Sequence, residues 1–309
     1  MSEIELRPMQ KADRGGLAEL IYLSTNTWYE AHGRPRVFSG GVATADLFFS
    51  VYDSLDPGCG VVAVSAYSGR LVGSCFHHPR PTHVSLGIMN VHPNYFGHGV
   101  ARDLLQYIVD YAQRRQMPLR LVSSAMKLDS FLLYSRAGFV PQTIFQDLVL
   151  SVPEEGLPYR APGDERVRPA KADDVPAMDR LETELVGISR QQDYRYFLEN
   201  RDGLWHVSVS PDDRGGLDGS WASLNHPGFT MLGPGLARTP EQAATLLLTE
   251  LNHCCGRTVL FLAPAQCTPL VQQMYRWGAG NCELHFGQVR GPCRPVQGVS
   301  MPTFLPESG

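Results

Sequence analysis

The sequence predicts an α+β fold made of two similar halves, each with a mixed, mostly antiparallel sheet flanked by helices. In the first half, three short apolar strands are separated by turn residues and are followed by a helix, a strand and a second helix. This order is typical of α+β domains. A short pattern also recurs about 160 residues along the chain, which indicates an internal repeat. The repeated words are Arg7-Pro8 with Lys11-Ala12-Asp13, and Arg168-Pro169 with Lys171-Ala172-Asp173.

Length and composition agree with a two-domain globular protein. The 309 residues predict two domains at about 100–200 residues each. A hydrophobic content of 43% and a charged content of 19% are ordinary for this class. The net charge of −4 gives no basic surface, so we expect no nucleic-acid partner. The N-terminus lacks a signal-peptide pattern and no apolar run approaches the ~20 residues that span a bilayer, so we expect no membrane association.

The seven cysteines are scattered and form no Cys-x-x-Cys pair. An odd, irregular set favours reduced thiols over a disulfide framework, which predicts a cytoplasmic location. The same spacing disfavours zinc binding, so we expect no metal site.

The predicted domain boundary is residues 151–164. This stretch holds three prolines and two glycines, a composition typical of linkers. We therefore predict one domain at 1–150 and a second at 165–309.

The first predicted elements are a strand at residues 4–8 and a helix that carries Leu17, Leu20 and Ile21 on its apolar face. Asp13 is the predicted N-cap of this helix. A second helical region is expected within 22–50, interrupted by a loop that contains Gly33, Pro35, Gly40 and Gly41.

Three strands follow the helical region. Residues 60–67 and 71–77 form a predicted hairpin around the turn Ser68-Gly69. Residues 83–91 return as the central strand.

The stretch from residue 88 to residue 105 organises the first half. It runs from the central strand through Pro93, Gly97 and Gly99 into a helix with one apolar face, which is formed by Leu104, Leu105, Ile108, Val109 and Ala112. A glycine loop that opens a helix is a candidate phosphate site, because the first helical N–H groups have no partner within the helix. A plain structural turn explains this stretch equally well when it is taken alone.

The next segment favours the phosphate site over a plain structural turn. A predicted strand at 119–124 leads into a helix that ends at Tyr134, Gly138 and Phe139. With these motifs the chain resembles the GNAT superfamily of acetyl-CoA-dependent N-acetyltransferases. The matched coenzyme motif comprises Val91, Pro93, Gly97, Gly99 and Ala101, and the later motif comprises Tyr134, Gly138 and Phe139. Phe96 departs from the family pattern, which has Arg or Gln at this position.

The resemblance implies acetyl transfer from acetyl-CoA to an amine. Tyr134 matches the general acid that protonates the departing thiolate, and a phenol of pKa near ~10 can do so. The helical region at 22–50 would cover the acceptor. The implied coenzyme-binding residues are Met89, Asn90, Val91, Phe96, Gly97, His98, Gly99, Val100, Ala101 and Arg102, and the implied substrate-pocket residues are Trp28, Tyr29, His32 and Phe38. No acid lies on the central strand to act as general base, although four histidines lie near it in sequence.

The second half follows the same order without the motif residues. Strands are predicted at 203–209, 229–232 and 258–262, helices at 240–252 and 270–277, and a final strand within 298–306. Residues 233–237 are predicted at the position of the phosphate loop, where Pro234 would remove a donor. Met274 and Ala279 stand where the first half has Tyr134 and Phe139, so this half is interpreted as a degenerate GNAT-like domain.

Three functions remain open at this level. The first is an N-acetyltransferase whose N-terminal domain acts on a primary amine of a small molecule or a peptide. The second is a non-catalytic acetyl-CoA-binding regulatory protein, and the third is a two-domain interaction scaffold without a coenzyme. A homodimer is compatible with each of them.

Overall fold

A computed structural model describes residues 4–308 and divides them into two compact units. The first unit comprises residues 4–119 together with 305–308, and the second comprises residues 120–304. The contacts divide the chain between residues 119 and 120, whereas the predicted linker lies at 151–164. The predicted boundary concerns the sequence repeat and stays a prediction.

The first unit contains four antiparallel strands in chain order, so each strand pairs with the next. They are β1 (Ile4–Pro8), β2 (Gly60–Ser65), β3 (Leu71–Pro79) and β4 (Val84–Val91). All four lie within about two residues of the strands predicted from alternation and turn residues, which confirms those predictions.

Three helices belong to the first unit, namely α1 (Arg14–Ala31), α2 (Asp46–Leu55) and α3 (Val100–Arg114). The predicted apolar face of α3 is confirmed, because Leu104, Ile108 and Ala112 are all 0% exposed. This face packs on β3 at Gly73, where a Cβ atom would lie 2.6 Å from Val100. Helix α1 extends to Ala31, so the first part of the second helical region predicted at 22–50 is a continuation of α1. The loop predicted to interrupt this region separates α1 from α2.

The tail at residues 305–308 completes the first unit. Leu305 is fully buried, and the Nε2 of His83 donates a hydrogen bond of 2.8 Å to the carbonyl oxygen of Ser308. The tail therefore holds a fixed position against β4.

The second unit contains a larger sheet and five helices within residues 120–304. Its strands are β5 (Leu119–Ser124), which begins at the last residue of the first unit, β6 (Val140–Ser151), β7 (Arg168–Pro169), β8 (Trp205–Pro211), β9 (Leu217–His226), β10 (Phe229–Ala237), β11 (Thr258–Pro264), β12 (Gly280–Arg290) and β13 (Val299–Met301). Its helices are α4 (Leu128–Arg136), α5 (Val175–Leu185), α6 (Gln191–Glu199), α7 (Pro240–His253) and α8 (Thr268–Arg276). Strands β6, β7, β9 and β12 and helix α6 were not identified in the sequence, whereas the spacing of Val175, Met178, Leu181 and Leu185 predicts α5.

Strand β6 lies at the centre of this unit, between β11 and β12. It pairs with both in antiparallel register, Phe145 with Pro264 on one side and Phe145 with His285 on the other. The remaining order is β5-β12-β6-β11-β10-β9-β8-β7, and β13 pairs with β10. One core cluster includes Leu148 of β6, Leu157 of the predicted linker and Leu247 of α7, so the linker region is packed.

The internal repeat is visible in an ion pair that recurs. Arg7 donates two hydrogen bonds to the Asp13 carboxylate at 2.7 and 2.8 Å, and Arg168 does the same to Asp174 at 2.8 and 2.7 Å. In each case the carboxylate also accepts from a backbone N–H three residues earlier, at 2.8 Å. Asp13 occupies the predicted N-cap position of α1, but its carboxylate caps no N–H group of this helix, because the guanidinium and the backbone N–H three residues earlier bind it.

The placement of residues 233–237 at a phosphate loop is also wrong. These residues lie within β10, where Gly235 faces the indole of Trp221 so closely that a Cβ atom would be 2.2 Å away. Only Arg238 and Thr239 connect β10 to α7. The second half therefore lacks the loop altogether.

All seven cysteines are free thiols. Every helix in the described part of the chain is too short or too polar to cross a membrane.

Candidate active site

Strand β4 carries a bulge before its last residues. Met89 faces Cys75 and Leu86 faces His77, so Gly87 and Ile88 together face the single residue Phe76. Glycine is required at 87, because a Cβ atom would lie 2.9 Å from the Nε2 of His78. A bulge bends the strand and directs backbone groups away from the ladder. The residues predicted to contact acetyl-CoA, Met89 to Val91, follow this bend directly.

The bulge is hydrogen-bonded to Tyr52 of α2. The Tyr52 hydroxyl accepts from the backbone N–H of Ile88 and donates to the Oε2 of Glu307 at 3.2 Å. Burial raises the pKa of Tyr52 well above its ordinary value, and the Glu307 charge adds to this effect, so the hydroxyl stays protonated. One oxygen atom thus connects the bulge to a carboxylate of the tail, a residue that sequence reasoning missed.

The predicted phosphate loop has the expected form. After Val91 a short turn at Pro93–Tyr95 leads to Gly97 and Gly99, whose φ angles of +78° and +85° favour glycine. Within residues 4–308, five backbone N–H groups here donate no hydrogen bond, those of Gly97, Gly99, Val100, Ala101 and Arg102. No side chain caps α3. The loop therefore presents a set of donors at the positive end of a helix dipole.

Side chains around the loop are mostly exposed. The Arg102 guanidinium lies over Gly99, 3.0 Å from where a Cβ atom would be, and pairs with Asp103 at 2.9 Å. Phe96 is 47% exposed, so its ring does not cover the backbone of the loop. The Nδ1 of His98 lies 3.0 Å from the carbonyl oxygen of Phe96, and this contact fixes the imidazole of His98 within the loop.

Asn90 is held in place by α1. Its Oδ1 accepts from the Oγ of Ser24 at 2.9 Å, and its buried Nδ2 has no hydrogen-bond partner among the described residues 4–308. An unpaired buried amide is costly unless a ligand or water satisfies it. This geometry favours a ligand at the end of β4.

The four predicted pocket residues divide into two groups. Trp28 and Tyr29 are half-buried at the end of α1, and the exposed His32 ring stacks on Trp28 with a centroid distance of 4.0 Å. Phe38 is only 4% exposed and packs against Tyr22 and Phe48. Phe38 therefore contributes to the packing of α1 on α2.

Three histidines near the central strand are buried. Burial, with the nearby His78, lowers the pKa of His77 to about 4, and its ring packs on Tyr111 with a centroid distance of 4.4 Å. His78 pairs with Asp56 at 2.6 Å, and His83 binds the tail carbonyl. These contacts favour structural roles for His78 and His83.

Tyr134 lies in the second unit on α4. It is 7% exposed, and its ring packs edge-on against Phe139 at 5.9 Å. Gly138, at φ +86°, ends the helix so that the Phe139 N–H reaches the Tyr134 carbonyl oxygen at 3.0 Å. The motif thus fixes the turn that sets the position of Tyr134.

The second half repeats this turn without the chemistry. Gly278, at φ +96°, ends α8, and the Ala279 N–H reaches the carbonyl oxygen of Met274 at 3.0 Å. Met274 has no proton to donate. The N-terminus of α7 is closed, because the Oγ1 of Thr239 accepts from the N–H of Gln242 at 3.3 Å.

A buried cluster in the second unit joins Asp147 of β6 to Glu283 and His285 of β12. The ring nitrogens of His285 lie 3.7 Å from Asp147 and 3.2 Å from Glu283. Burial, with the Glu283 charge, raises the pKa of Asp147 to about 7, and burial lowers that of His285 to about 3. One ligand atom from each residue lies within 4.8 Å of the others. The two carboxylates face opposite ring nitrogens, however, whereas a metal ion binds one; the expected absence of a metal stays a prediction.

Comparisons with known proteins were made by family model and by structure. Residues 20–139 match the family model described as the acetyltransferase (GNAT) family. No curated protein sequence matches the chain significantly.

Three solved structures share the fold over nearly the whole chain. A Pyrococcus horikoshii protein described as an acetyltransferase is 15% identical, has a TM-score of 0.74, and aligns over 98% of this chain and 94% of its own. A GCN5-related N-acetyltransferase from Sphaerobacter thermophilus is 18% identical, with a TM-score of 0.65 over 95% and 97%. A tandem GNAT protein from the clavulanic acid biosynthesis pathway is 16% identical, with a TM-score of 0.63 over 94% and 99%.

Proposed function

We propose that this chain, whose residues 20–139 match the family model of the acetyltransferase (GNAT) family, transfers an acetyl group from acetyl-CoA to a primary amine of a small molecule or peptide. The reaction would take place through the N-terminal half. The observation that supports this most is the row of five unpartnered backbone N–H groups between Gly97 and Arg102. The second half has no such row, because Thr239 caps its helix. A fold kept only for packing gives no reason for this difference.

Substrate binding would use the loop and the end of β4. The loop N–H groups and the Arg102 side chain suit the pyrophosphate of acetyl-CoA, which carries the charge that a helix N-terminus favours. The backbone of residues 89–91 would bind the pantetheine amides and polarise the thioester carbonyl. The unpaired Nδ2 of Asn90 offers a further donor there.

Two side chains are proposed for the proton transfers. The Glu307 carboxylate, hydrogen-bonded to Tyr52 at the bulge, would take a proton from the substrate ammonium and so give the neutral amine. The amine nitrogen then forms a bond to the thioester carbon, and the bond from this carbon to sulfur breaks. Tyr134 would donate its proton to the departing thiolate, which leaves as free coenzyme A. The nitrogen of the new amide releases its second proton to solvent, and solvent reprotonates Tyr134.

Calorimetric titration of acetyl-CoA into the full chain tests the binding step. We expect saturable binding that Gly99→Trp abolishes, because the indole would fill the loop. Gly69→Trp is the matched control, since Gly69 has a similar φ of +67° in an open turn of the same unit. Thermal unfolding of each variant shows that it is folded. Absence of any heat and any thermal shift would leave the scaffold alternative.

Turnover separates an enzyme from a coenzyme-binding regulator. Thiol release is measured with acetyl-CoA and a panel of primary amines, including peptides with a free N-terminus. We expect one amine class to support turnover and Tyr134→Phe to lower kcat by about 10²-fold. Binding of acetyl-CoA with no thiol release from any amine would favour the regulatory alternative.

A further inference from the structure

The second unit contains a cavity of about 550 Å³ whose charged wall residues are all arginines. They are Arg120 of β5, Arg190 before α6, and Arg294 in the segment after β12. No aspartate or glutamate lines the cavity within the described part of this unit. A cavity of this size accommodates a small organic molecule.

Arg120 is the clearest sign of a ligand. Its Nε is buried without a hydrogen-bond partner, and its side chain makes no ion pair within residues 4–308. Burial lowers the pKa of Arg120, the charge of Arg190 lowers it further, and the charge of Glu182 has a smaller, opposite effect. Buried charges are ordinarily paired, because the loss of hydration is costly without a counter-charge.

Arg190 already has its partner. It is 2% exposed and pairs with the fully buried Glu182, with an Nε to Oε1 distance of 2.7 Å. The negative charge of Glu182 therefore pairs directly with the positive charge of Arg190. The positive charge left in the cavity wall belongs to Arg120 and Arg294.

Arg294 is positioned by the backbone around it. Its aliphatic stem packs on Gly187, where a Cβ atom would lie 3.2 Å from the Cδ. The N–H of Gln297 donates to the carbonyl oxygen of Leu185 at 2.8 Å, which holds the segment beside α5. These contacts place the aliphatic stem of Arg294 at the cavity wall.

The rest of the wall is mixed in character. Gln288 donates to the Oγ of Ser123 at 2.7 Å, and its buried Oε1 has no hydrogen-bond partner in the part of the chain that the structure describes. Leu121, Phe145 and Ile188 contribute apolar surface. A ligand with one anionic end and a partly apolar body matches these groups.

We propose that this cavity binds a small organic anion whose carboxylate or phosphate group is held by Arg120 and Arg294. The site is separate from the coenzyme loop, since every lining residue belongs to the second unit. It gives the second unit a binding role of its own.

The test is calorimetric titration of the full chain with inorganic phosphate, malate and benzoate at constant ionic strength. We expect at least one probe to bind saturably, and the phosphate and carboxylate probes distinguish the two anion chemistries. Arg120→Gln should weaken that binding at least about tenfold, since a charge-assisted hydrogen bond is lost. Arg201→Gln should leave it unchanged, because Arg201 is exposed and pairs with Glu199.

Alkylation of cysteines locates the bound probe. Cys267 and Cys293 line the cavity, whereas the exposed Cys255 does not. The bound anion should slow alkylation of the first two several-fold and leave Cys255 unchanged. Arg294→Gln, at an exposed position, gives the same answer if Arg120→Gln fails to fold. The proposal is overturned if no probe saturates, if a folded Arg→Gln variant binds as the parent does, or if neither cavity cysteine is protected.

Discussion

Glu307 is the residue whose role depends most on the tertiary structure. Its carboxylate accepts from the Tyr52 hydroxyl, 255 residues away in sequence, beside the bulge of β4. No acidic residue on the central strand itself could act as base, since residues 84–91 contain none. The tail therefore supplies the carboxylate that the strand lacks.

Glu307→Gln tests this at the level of one side chain. We expect kcat/KM to fall about 10²-fold or more, because the amide cannot accept the proton, while the Kd for acetyl-CoA stays within about twofold. Glu19→Gln, on the exposed surface of α1, is the matched control. Equal kcat/KM in the Glu307 variant and the parent would exclude this carboxylate as the base.

Asp147 supplies a second prediction, about stability. Burial, with Glu283, raises its pKa from 3.8 to about 7, so the folded protein binds this proton more tightly than the unfolded chain does. The resulting stability is fully present below about pH 4 and is lost as the pH rises through about 7. His285 acts in the opposite direction, because its lowered pKa costs stability as the pH falls from about 6.5 to about 3.

Asp147→Asn should therefore raise the free energy of unfolding at pH 8, by about 4 kcal/mol at most, at about 1.36 kcal/mol per pKa unit. Near pH 4 the variant and the parent should be similar. Urea unfolding at the two pH values measures the difference, and the exposed Asp202→Asn is the control. A variant less stable than the parent at pH 8 would mean that a counter-charge compensates the ionised Asp147.

At the scale of elements, the phosphate loop differs from the family pattern at one exposed side chain. Phe96 is 47% exposed, so a longer side chain has room there. Phe96→Arg should tighten acetyl-CoA binding about three- to tenfold at low salt, because it adds a cation beside the pyrophosphate. The gain should shrink as salt rises. Calorimetry with Phe96→Leu as the neutral control measures it, and equal affinity of the two variants would place the pyrophosphate elsewhere.

The recurring ion pair tests the second copy of the repeat. Asp174 accepts two hydrogen bonds from Arg168 and one from the backbone of Lys171, so Asp174→Ala removes three contacts at once. We expect a loss of about 1–2 kcal/mol in the free energy of unfolding. Asp173→Ala, one residue earlier and exposed, should change it by less than about 0.5 kcal/mol. Similar losses in both variants would show that the pair contributes no specific stability.

These elements also show what the sequence could and could not predict. Local patterns predicted β1 to β5, α3, the glycine loop and the turn at Gly138, because each depends on residues near one another in the chain. Strands β6 and β12 were missed, since their pairing joins residues more than 100 positions apart, such as Phe145 and His285. The contact of Glu307 with the bulge was missed for the same reason, because Tyr52 and Glu307 are 255 residues apart in the chain. The phosphate-loop position in the second half was mistaken because glycines at 233 and 235 serve close packing within β10.

At the scale of the whole molecule, β6 decides whether the two sequence halves can be separated. It belongs to the first half of the chain, yet both of its neighbours, β11 and β12, come from the second. Three of its side chains, those of Phe145, Leu148 and Leu150, are at most 6% exposed. Cutting the chain in the predicted linker would leave this strand with two open edges and an uncovered apolar face.

We therefore expect residues 1–164, expressed alone, to aggregate, even though the cut falls at the predicted domain boundary. The same cut made after folding should have little effect, because the pairing of β6 with β11 and β12 holds the pieces together. A protease site inserted at Arg160, whose side chain is 93% exposed, supplies this control. Size-exclusion chromatography should show the cleaved protein eluting as the intact chain does. A monomeric 1–164 fragment with cooperative unfolding would show instead that the first half folds without β11 and β12, and that their pairing with β6 is an addition to a domain already complete.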